Sequence, residues 1–577
     1  MSIKIIRRKV EKKNNQSEIF NNMHPVLQRV YAARNVHDEK ELDYSLSGLI
    51  DYKELTGIDT ALDLLVDAIE KQQRMLIVAD FDADGATSCA VAVRGLRAMG
   101  ATDVCYVVPN RFEYGYGLTP EIVAVAAEQS PDLIITVDNG IASNEGVAAA
   151  KKLGINVLIT DHHLPGKTLP DADAIVNPNQ PDDNFPSKSL AGVGVMFYVL
   201  MALRARLRKN HYFEGKGLTV PNLAQLLDLV ALGTVADVVP LDRNNRILVS
   251  QGLARMRKGV CCEGIKAIAE VAKRELFKLS STDLGFAIGP RLNAAGRLDD
   301  MSLGIECLLC DDQQEARRLA SELDQLNRER KEIGDLMLTE ATQILDSLDL
   351  ESSEMPFGLC LYDPAWHQGV IGILASRIKE QKFRPVIVFA EADAGEVKGS
   401  ARSVKGVHIR DVLDAVATKN PGVINKFGGH AMAAGLSLPL TRLDDFIQAF
   451  DQEVRQHLTS EDLRGVLVSD GALNSSDINA ELAEELRYAG PWGQTFPEPL
   501  FDGVFELENA RIVGDKHLKL LLRSPDSDQL IDAIAFFTTN EDWPENVHQV
   551  ELVYQLDLNE FRGNRNPQLL VKHILPS

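Results

Sequence analysis

The acidic run Asp80-Phe81-Asp82-Ala83-Asp84-Gly85 follows directly on the apolar stretch Met75-Leu76-Ile77-Val78-Ala79. The arrangement recurs twice: Leu133-Ile134-Ile135-Thr136-Val137 runs into Asp138-Asn139-Gly140, and Val157-Leu158-Ile159-Thr160 into Asp161-His162-His163. Hard divalent cations take carboxylate oxygen, and neighbouring imidazole nitrogen shifts the preference towards manganese or another transition ion over calcium. Two such ions about 3.5–4 Å apart clamp a phosphate and lower the pKa of a bridging water, which is the chemistry of phosphoester hydrolysis. A single Asp at a strand end is equally a turn former or a helix N-cap. Three strand ends carrying ligand-type side chains make the chemical reading the stronger one.

The strands that must position these groups read as near-continuous apolar runs, as expected of a parallel sheet with helices on both faces, whose ligands bind beyond the carboxyl ends. Residues ~50–240 alternate such strands with helical patterns. Residues ~241–350 read as mostly helical and end in Gln314–Leu348, where Leu319, Leu323, Leu326, Ile333, Leu336 and Leu338 mark one apolar stripe. An α/β pattern returns over ~356–455, with strands at Phe357–Tyr362 and Arg384–Phe389 around a helix at Val370–Lys382. From ~464 short alternating strands predict an all-β barrel. The expected division is 1–48 (an amino-terminal segment with a helix at Pro25–Ala33), 49–240 (catalytic), 241–350 (helical connector), 351–457 (a smaller α/β domain) and 464–577 (the barrel).

Asp161-His162-His163, with Asp82-Ala83-Asp84-Gly85 and Asp138-Asn139-Gly140 upstream, resembles the signature of the DHH phosphoesterase superfamily. Gly233-Thr234-Val235-Ala236-Asp237 is similar to its fourth acidic motif, and Gly428-Gly429-His430-Ala431-Met432-Ala433-Ala434-Gly435 to the glycine-rich motif of the DHH-associated domain. The long carboxyl-terminal extension resembles the branch of single-strand-specific 5′→3′ DNA exonucleases that serve DNA repair and recombination. The resemblance implies a parallel-sheet DHH domain, a DHH-associated substrate-binding domain and a carboxyl-terminal OB-fold. It implies two divalent ions, Mn2+ preferred and Mg2+ as the alternative, held by Asp82, Asp84, Asp138, His162 and Asp237, with Asp138 bridging. Adjacent strand residues face opposite ways, so His162 and His163 are not expected to share an ion, and His163 is assigned to the scissile phosphate or leaving oxygen. Val78 stands where small phosphoesterases of the superfamily carry a histidine ligand, so Asp80 becomes a supporting catalytic candidate. Single-stranded DNA is the implied partner, together with single-strand-binding protein and a helicase; a monomeric chain is expected.

Substrate-contact candidates are spread over the chain. Arg111, Arg291 and Arg297 lie near the motifs, and an arginine fork beside a flexible Asn293–Gly296 suits a terminal phosphate. In Gly399-Ser400-Ala401-Arg402-Ser403 small residues permit close backbone approach while Arg402 offers a fork; His430, His367 and Arg377 extend the set. In the barrel, Glu560-Phe561-Arg562-Gly563-Asn564-Arg565 combines two guanidinium groups with an aromatic ring, which makes Arg562 and Arg565 strand-contact candidates, while Phe505, Phe536, Phe537 and Tyr554 read as core.

The chain has 577 residues, too many for one core. A formal net charge of −22 argues against a uniformly basic nucleic-acid binder and requires local positive patches. No apolar run reaches the ~20 residues of a membrane helix, and the basic amino terminus lacks an apolar stretch behind it, so no membrane association and a cytoplasmic location are expected. Seven scattered cysteines read as reduced core thiols, Cys307 and Cys310 included. Two alternatives share parts of this pattern. An oligoribonuclease or nucleotide phosphatase of the superfamily would share the metals but not the connector and barrel; a non-catalytic replication scaffold would have lost metal ligands.

Overall fold

The computed structural model describes residues 3–9, 23–109, 117–351, 355–392, 395–514, 516–524, 526–536, 538, 547–561 and 563–576. Two compact units emerge, one of residues 7–324 and 468–577, the other built on 325–467.

In the first unit, β1 (Met75–Ala79), β2 (Val104–Val107), β3 (Leu133–Val137), β4 (Asn156–Thr160) and β5 (Ala174–Val176) form one sheet in the order β2-β1-β3-β4-β5. Every pairing is parallel. β1 and β3 are buried at every residue, which is why they read as unbroken apolar runs. From β1 the chain runs to β2 on one side and then returns to β3 on the other, so the strand order reverses between β1 and β3. Ligands of open α/β sheets bind at such a reversal; Asp80–Asp84 and Asp138 leave the sheet there.

Helix α1 (Ala83–Ala98) starts directly behind β1, and α2 (Gly192–Lys209) is buried along most of its length. α3 (Leu227–Ala236) ends at Asp237. A π-turn, Leu284–Ile288, leads into α4 (Gly289–Leu298). The expected flexible stretch Asn293–Gly296 is therefore helical, with Ala294, Ala295 and Gly296 buried. Small residues are needed there because a Cβ on Gly296 would sit 1.9 Å from the Phe81 carbonyl oxygen.

α5 (Gln313–Glu351) is a single helix of 39 residues. Its apolar stripe departs from the expected one: Leu336 is 62% exposed, and the adjacent Met337 turns inward instead. A stripe drawn on leucines and isoleucine alone misses that residue, because Met also fills core positions.

The second unit holds β6 (Leu359–Tyr362), β7 (Val386–Glu391), β8 (Glu396–Arg402), β9 (Lys426–Gly429) and β10 (Ala433–Pro439) in the order β9-β10-β8-β7-β6. The glycine-rich motif forms a hairpin in which Gly428 pairs with Gly435. β6 and β7 are parallel, with α6 (Ile371–Lys382) between them in sequence.

A closed barrel completes the first unit: β11 (Phe501–Val513), β12 (His517–Arg523), β13 (Leu530–Ala535), β14 (Gln549–Phe561) and β15 (Asn564–Pro576), ordered β11-β12-β13-β15-β14. β13 and β15 run parallel and the other pairs antiparallel. Phe505 and Tyr554 are core as expected, but Phe536 is 51% exposed at the end of β13; Phe537 lies outside the described residues. The amino-terminal helix Pro25–Ala32 docks on this part of the chain, where Tyr31 donates to the Ala489 carbonyl. Arg34 reaches both carboxylate oxygens of Asp470 at 2.9 Å, and Tyr31, Trp492 and Phe496 stack.

Candidate metal centre

Each acid of the centre is set by a backbone device. Asp82 caps α1, its Oδ1 accepting from the amides of Asp84 (2.9 Å) and Gly85 (3.1 Å), so a helix cap also stands among the carboxylates able to hold a cation. Asp84 is gripped by the first turn of α2: Gly192 N donates to Oδ2 at 2.6 Å and Val193 N to Oδ1 at 2.9 Å. Residue 192 must be glycine, since a Cβ there would lie 2.5 Å from the Asp138 Cβ. Asp138 adopts φ 62°, a left-handed conformation that a non-glycine residue adopts at a cost. Its amide donates to the Thr160 carbonyl on β4 (3.0 Å), which holds the turn. Asp237 caps the carboxyl end of α3.

The described residues form three groups able to hold a cation, with ligand atoms within 4.8 Å of one another: Asp80, Asp82 and Asp138; Asp84, His162 and Asp237; and Asp138, His162 and His163. The buried Nε2 of His162 lies 3.1 Å from Asp138 Oδ1, 3.5 Å from Asp237 Oδ2 and 4.0 Å from Asp84 Oδ2. Yet it makes no hydrogen bond. A buried imidazole nitrogen facing three carboxylates without a hydrogen bond fits a cation held among them, and the O/N donor set suits Mn2+ or Mg2+.

Two expectations change at the histidines. His162 and His163 lie beyond the end of β4, so strand alternation does not apply; their ring centroids are 4.5 Å apart and both adjoin Asp138. Asp161, which carries no assigned role in the sequence motif, organises them. Its Oδ1 accepts from the amides of His162 (2.7 Å) and His163 (3.1 Å) and bonds His163 Nδ1 (2.8 Å), while Oδ2 accepts from Ile141 N. An Asp directly ahead of two histidines is the available signal, because Asp readily bonds the amides just after it.

The electrostatics follow from burial. Asp80 and Asp138 are pushed well above the usual carboxylate range, first by burial and then by the neighbouring acids. Asp84 and Asp237 are each raised to about 7 by burial and by acids of the same cluster. Burial also works to raise Asp161, but its bond to His163 and the charge of both histidines leave it lowered. His162 is lowered by burial. Burial opposes charge on His163 as well, but the Asp161 bond prevails and raises it to about 9.

A second clamp has no counterpart among the sequence expectations. Asn293 on α4 accepts from Ala83 N through Oδ1 (2.8 Å), and Gly296 abuts Phe81. The connector helices thus hold the acidic loop. Arg291 on the same helix is committed to Asp324, with Nε and Nη2 at 2.9 and 2.8 Å from Oδ1, and to the Ala287 carbonyl. Its fork is a helix clamp. Arg111 lies outside the described residues. Val78 is fully buried in the sheet core.

The remaining candidates in the second unit form their own sets. Arg402 is held by Ser400 Oγ (3.2 Å) and the Ala401 carbonyl, and burial lowers its pKa. A Cβ on Gly372 would come within 3.0 Å of both Arg402 Nη2 and Ser400 Oγ, so glycine keeps this face open. His367 forms the turn into α6, accepting from Gly369 N, and exposed His430 closes the β9–β10 hairpin through its amide to Ala433 O. Arg377 pairs with Asp335 at 2.7 Å. In the barrel, Arg565 pairs with Glu484 (2.7 Å) and Glu560 (3.2 Å); Arg562 lies outside the described residues.

Residues 74–234 match the DHH family, N-terminal domain, residues 356–456 the DHHA1 domain, and residues 469–573 the RecJ OB domain. The chain is 54% identical over 561 residues to the single-stranded-DNA-specific exonuclease RecJ of Salmonella typhimurium, covering 97% of each. RecJ from Thermus thermophilus in complex with Mn2+ superposes with a TM-score of 0.82 at 30% identity, covering all of this chain and 80% of that one. The Mg2+ complex of that protein gives 0.76 at 28% identity, covering all of this chain and 79% of that one. An identity of 54% across nearly the whole of both chains means that this protein belongs to the RecJ family.

Proposed function

We propose that the chain is a single-stranded-DNA-specific exonuclease that hydrolyses phosphodiester bonds in the 5′→3′ direction, in DNA repair and recombination. The observation that carries this is the buried convergence of Asp84, Asp138 and Asp237 on His162 Nε2, at a sheet reversal, in a chain so similar to named exonucleases. Asp82, Asp84, Asp138, His162 and Asp237 would hold two divalent ions, Mn2+ by preference and Mg2+ otherwise, with Asp138 shared and Asp80 in support. Bound divalent ions supply charge stabilisation to the phosphate and lower the pKa of water.

The protein groups do the rest. Asp161 fixes the His163 ring through Nδ1, and we assign the other ring nitrogen to the scissile phosphate or the leaving oxygen. Asn293 and Gly296 fix the loop that carries Asp80 and Asp82. We assign backbone phosphates of the strand to Ser400, Arg402, His367, Arg377 and His430, and the 5′ terminus to Arg297, with Arg111 as a further cation. Arg562 and Arg565 of the barrel would take single-stranded DNA further along. The five-segment division at 49–240, 241–350, 351–457 and 464–577 behind an amino-terminal segment is the organisation we infer. We further infer a cytoplasmic monomer working with single-strand-binding protein and a helicase; among the described residues no helix is long and apolar enough to cross a membrane.

The test is hydrolysis of 5′-labelled single strands, duplexes and dinucleotides with Mn2+. Stepwise loss of nucleotides from the 5′ end of single strands alone is expected. Preference for dinucleotides would favour an oligoribonuclease or phosphatase, and binding without hydrolysis a scaffold.

A further inference from the structure

Two large apolar side chains stand in solvent on segments that adjoin the last turn of α3. Phe286 is 83% exposed, and it sits in the π-turn Leu284–Ile288. π-Turns are rare and occur often at functional sites. Val238, immediately after Asp237, is 64% exposed and is held at φ 64°. A β-branched residue rarely adopts that conformation, and such strain persists where the surrounding structure fixes it, most often at ligand sites. The two belong to one place in the fold. The π-turn packs on the last turn of α3: a Cβ on Gly285 would lie 3.4 Å from Val235 Cγ1, and one on Gly289 would lie 3.1 Å from the Ala236 Cβ. The backbone that presents Phe286 therefore rests on the residues that directly precede Asp237.

Beside Phe286 opens a cavity of about 950 Å³ between the connector and the barrel. Its charges balance: Lys273, Arg274, Lys278, Arg487 and Lys572 share the lining with Glu275, Asp283, Glu498, Asp557 and Glu560, and Lys278 pairs with Glu560 at 2.5 Å and Arg487 with Asp557 at 2.6 Å. Such a lining has little to offer a phosphate, but it suits an uncharged, hydrogen-bonding heterocycle.

We propose that Phe286 is a stacking platform for a nucleobase of the single strand close to the scissile phosphate, with Val238 as the apolar rest for the neighbouring nucleoside and the balanced cavity receiving bases rather than backbone. This rests on the reading of the centre as a single-strand nuclease. Aromatic stacking accepts any base, because every base has a π-face, and it is denied to a base that remains paired within a duplex. The platform would thus read strandedness next to the chemistry without reading sequence.

The experiment uses the full-length protein with Mn2+ on a 5′-phosphorylated pyrimidine homopolymer and on the same strand made abasic over its first four nucleotides. On the normal strand Phe286→Ala should raise KM roughly five- to 150-fold, the loss of one stacked base at ~1–3 kcal/mol. Phe286→Tyr should recover most of this, and Phe286→Leu should not. On the abasic strand the difference between Phe286→Ala and the parent should collapse. Val238→Ala should raise KM by a smaller factor on the normal strand. Equal losses on both strands, or full recovery by leucine, would overturn stacking, as would an unchanged KM in Phe286→Ala. If the parent itself leaves single strands intact, it is the nuclease reading that fails.

Discussion

Two of the places where the first unit buries aspartates are treated oppositely. Asp470 is met by Arg34 on both oxygens and by Arg8 at 3.3 Å, within a frame of stacked Tyr31, Trp492 and Phe496. At the ends of β1 and β3, buried acids are instead raised by burial and then by one another, and His162 stands 3.1 Å from Asp138. A buried carboxylate with a fitted guanidinium is structure. A group of buried carboxylates gathered without one, and held by helix ends, a strained turn and a glycine contact, is a site built to receive charge from outside the chain.

The contrast breaks first at Asp138. Asp138→Ala should lower exonuclease activity at saturating Mn2+ by at least about a thousandfold, ~4 kcal/mol in barrier, while the far-ultraviolet circular dichroism stays native. Retention of more than about a tenth of the rate would remove Asp138 from the centre. The opposite outcome belongs to Arg34. Arg34→Ala leaves Asp470 buried without its main partner and should cost about 3–5 kcal/mol of stability, read in urea melts. Arg34→Ala with Asp470→Asn should recover part of it, and a cost below about 1 kcal/mol would mean that water replaces the guanidinium.

The pH dependence separates the two sites further. Asp84 and Asp237 titrate near about 7 in the metal-free fold, against ~3.9 when unfolded. The folded state then holds protons that the unfolded chain has released, so this contribution is fully present below about 4 and is lost as pH climbs through about 7. Metal-free protein should lose thermal stability across that window, and Mn2+ affinity should rise across it as binding displaces protons. At a hundred times its Kd one bound ion should restore ~2.7 kcal/mol. A flat stability profile in chelator would contradict mutual repulsion of the acids.

The smallest effect is expected at Arg565. Its exposed pairs with Glu484 and Glu560 should contribute little to stability. If the barrel holds DNA there, Arg565→Ala should still reduce the slope of log affinity against log salt by about 0.7. An unchanged slope would leave the pair a surface ornament.

Much of this is legible in the sequence because the signals are local. The apolar runs of β1, β3 and β4 with acids at their ends, the barrel strands, and the long helix α5 all follow from patterns within a few residues. What escapes depends on distant partners. Arg291 reads as a free fork because Asp324 is 33 residues away, and Asn293 reads as a loop because only the acidic loop it bonds explains its place. Arg34 and Asp470 are 436 residues apart. Phe536 reads as core from its type alone, whereas its register at the end of β13 leaves it outside.

The bond from Ala83 to Asn293 bears on how small such an enzyme can be made. The stretch 74–234 that matches the DHH family carries Asp80, Asp82, Asp84, Asp138 and both histidines. It ends before Asp237, and it lacks the helix whose Asn293 and Gly296 hold the loop between β1 and α1. A minimal nuclease cut at that boundary would keep the grips on Asp84 and Asp138 but lose Asp237 and the hold on the loop that carries Asp80 and Asp82. Any transplantable catalytic module must therefore run through Leu298, across what reads in the sequence as a border between domains.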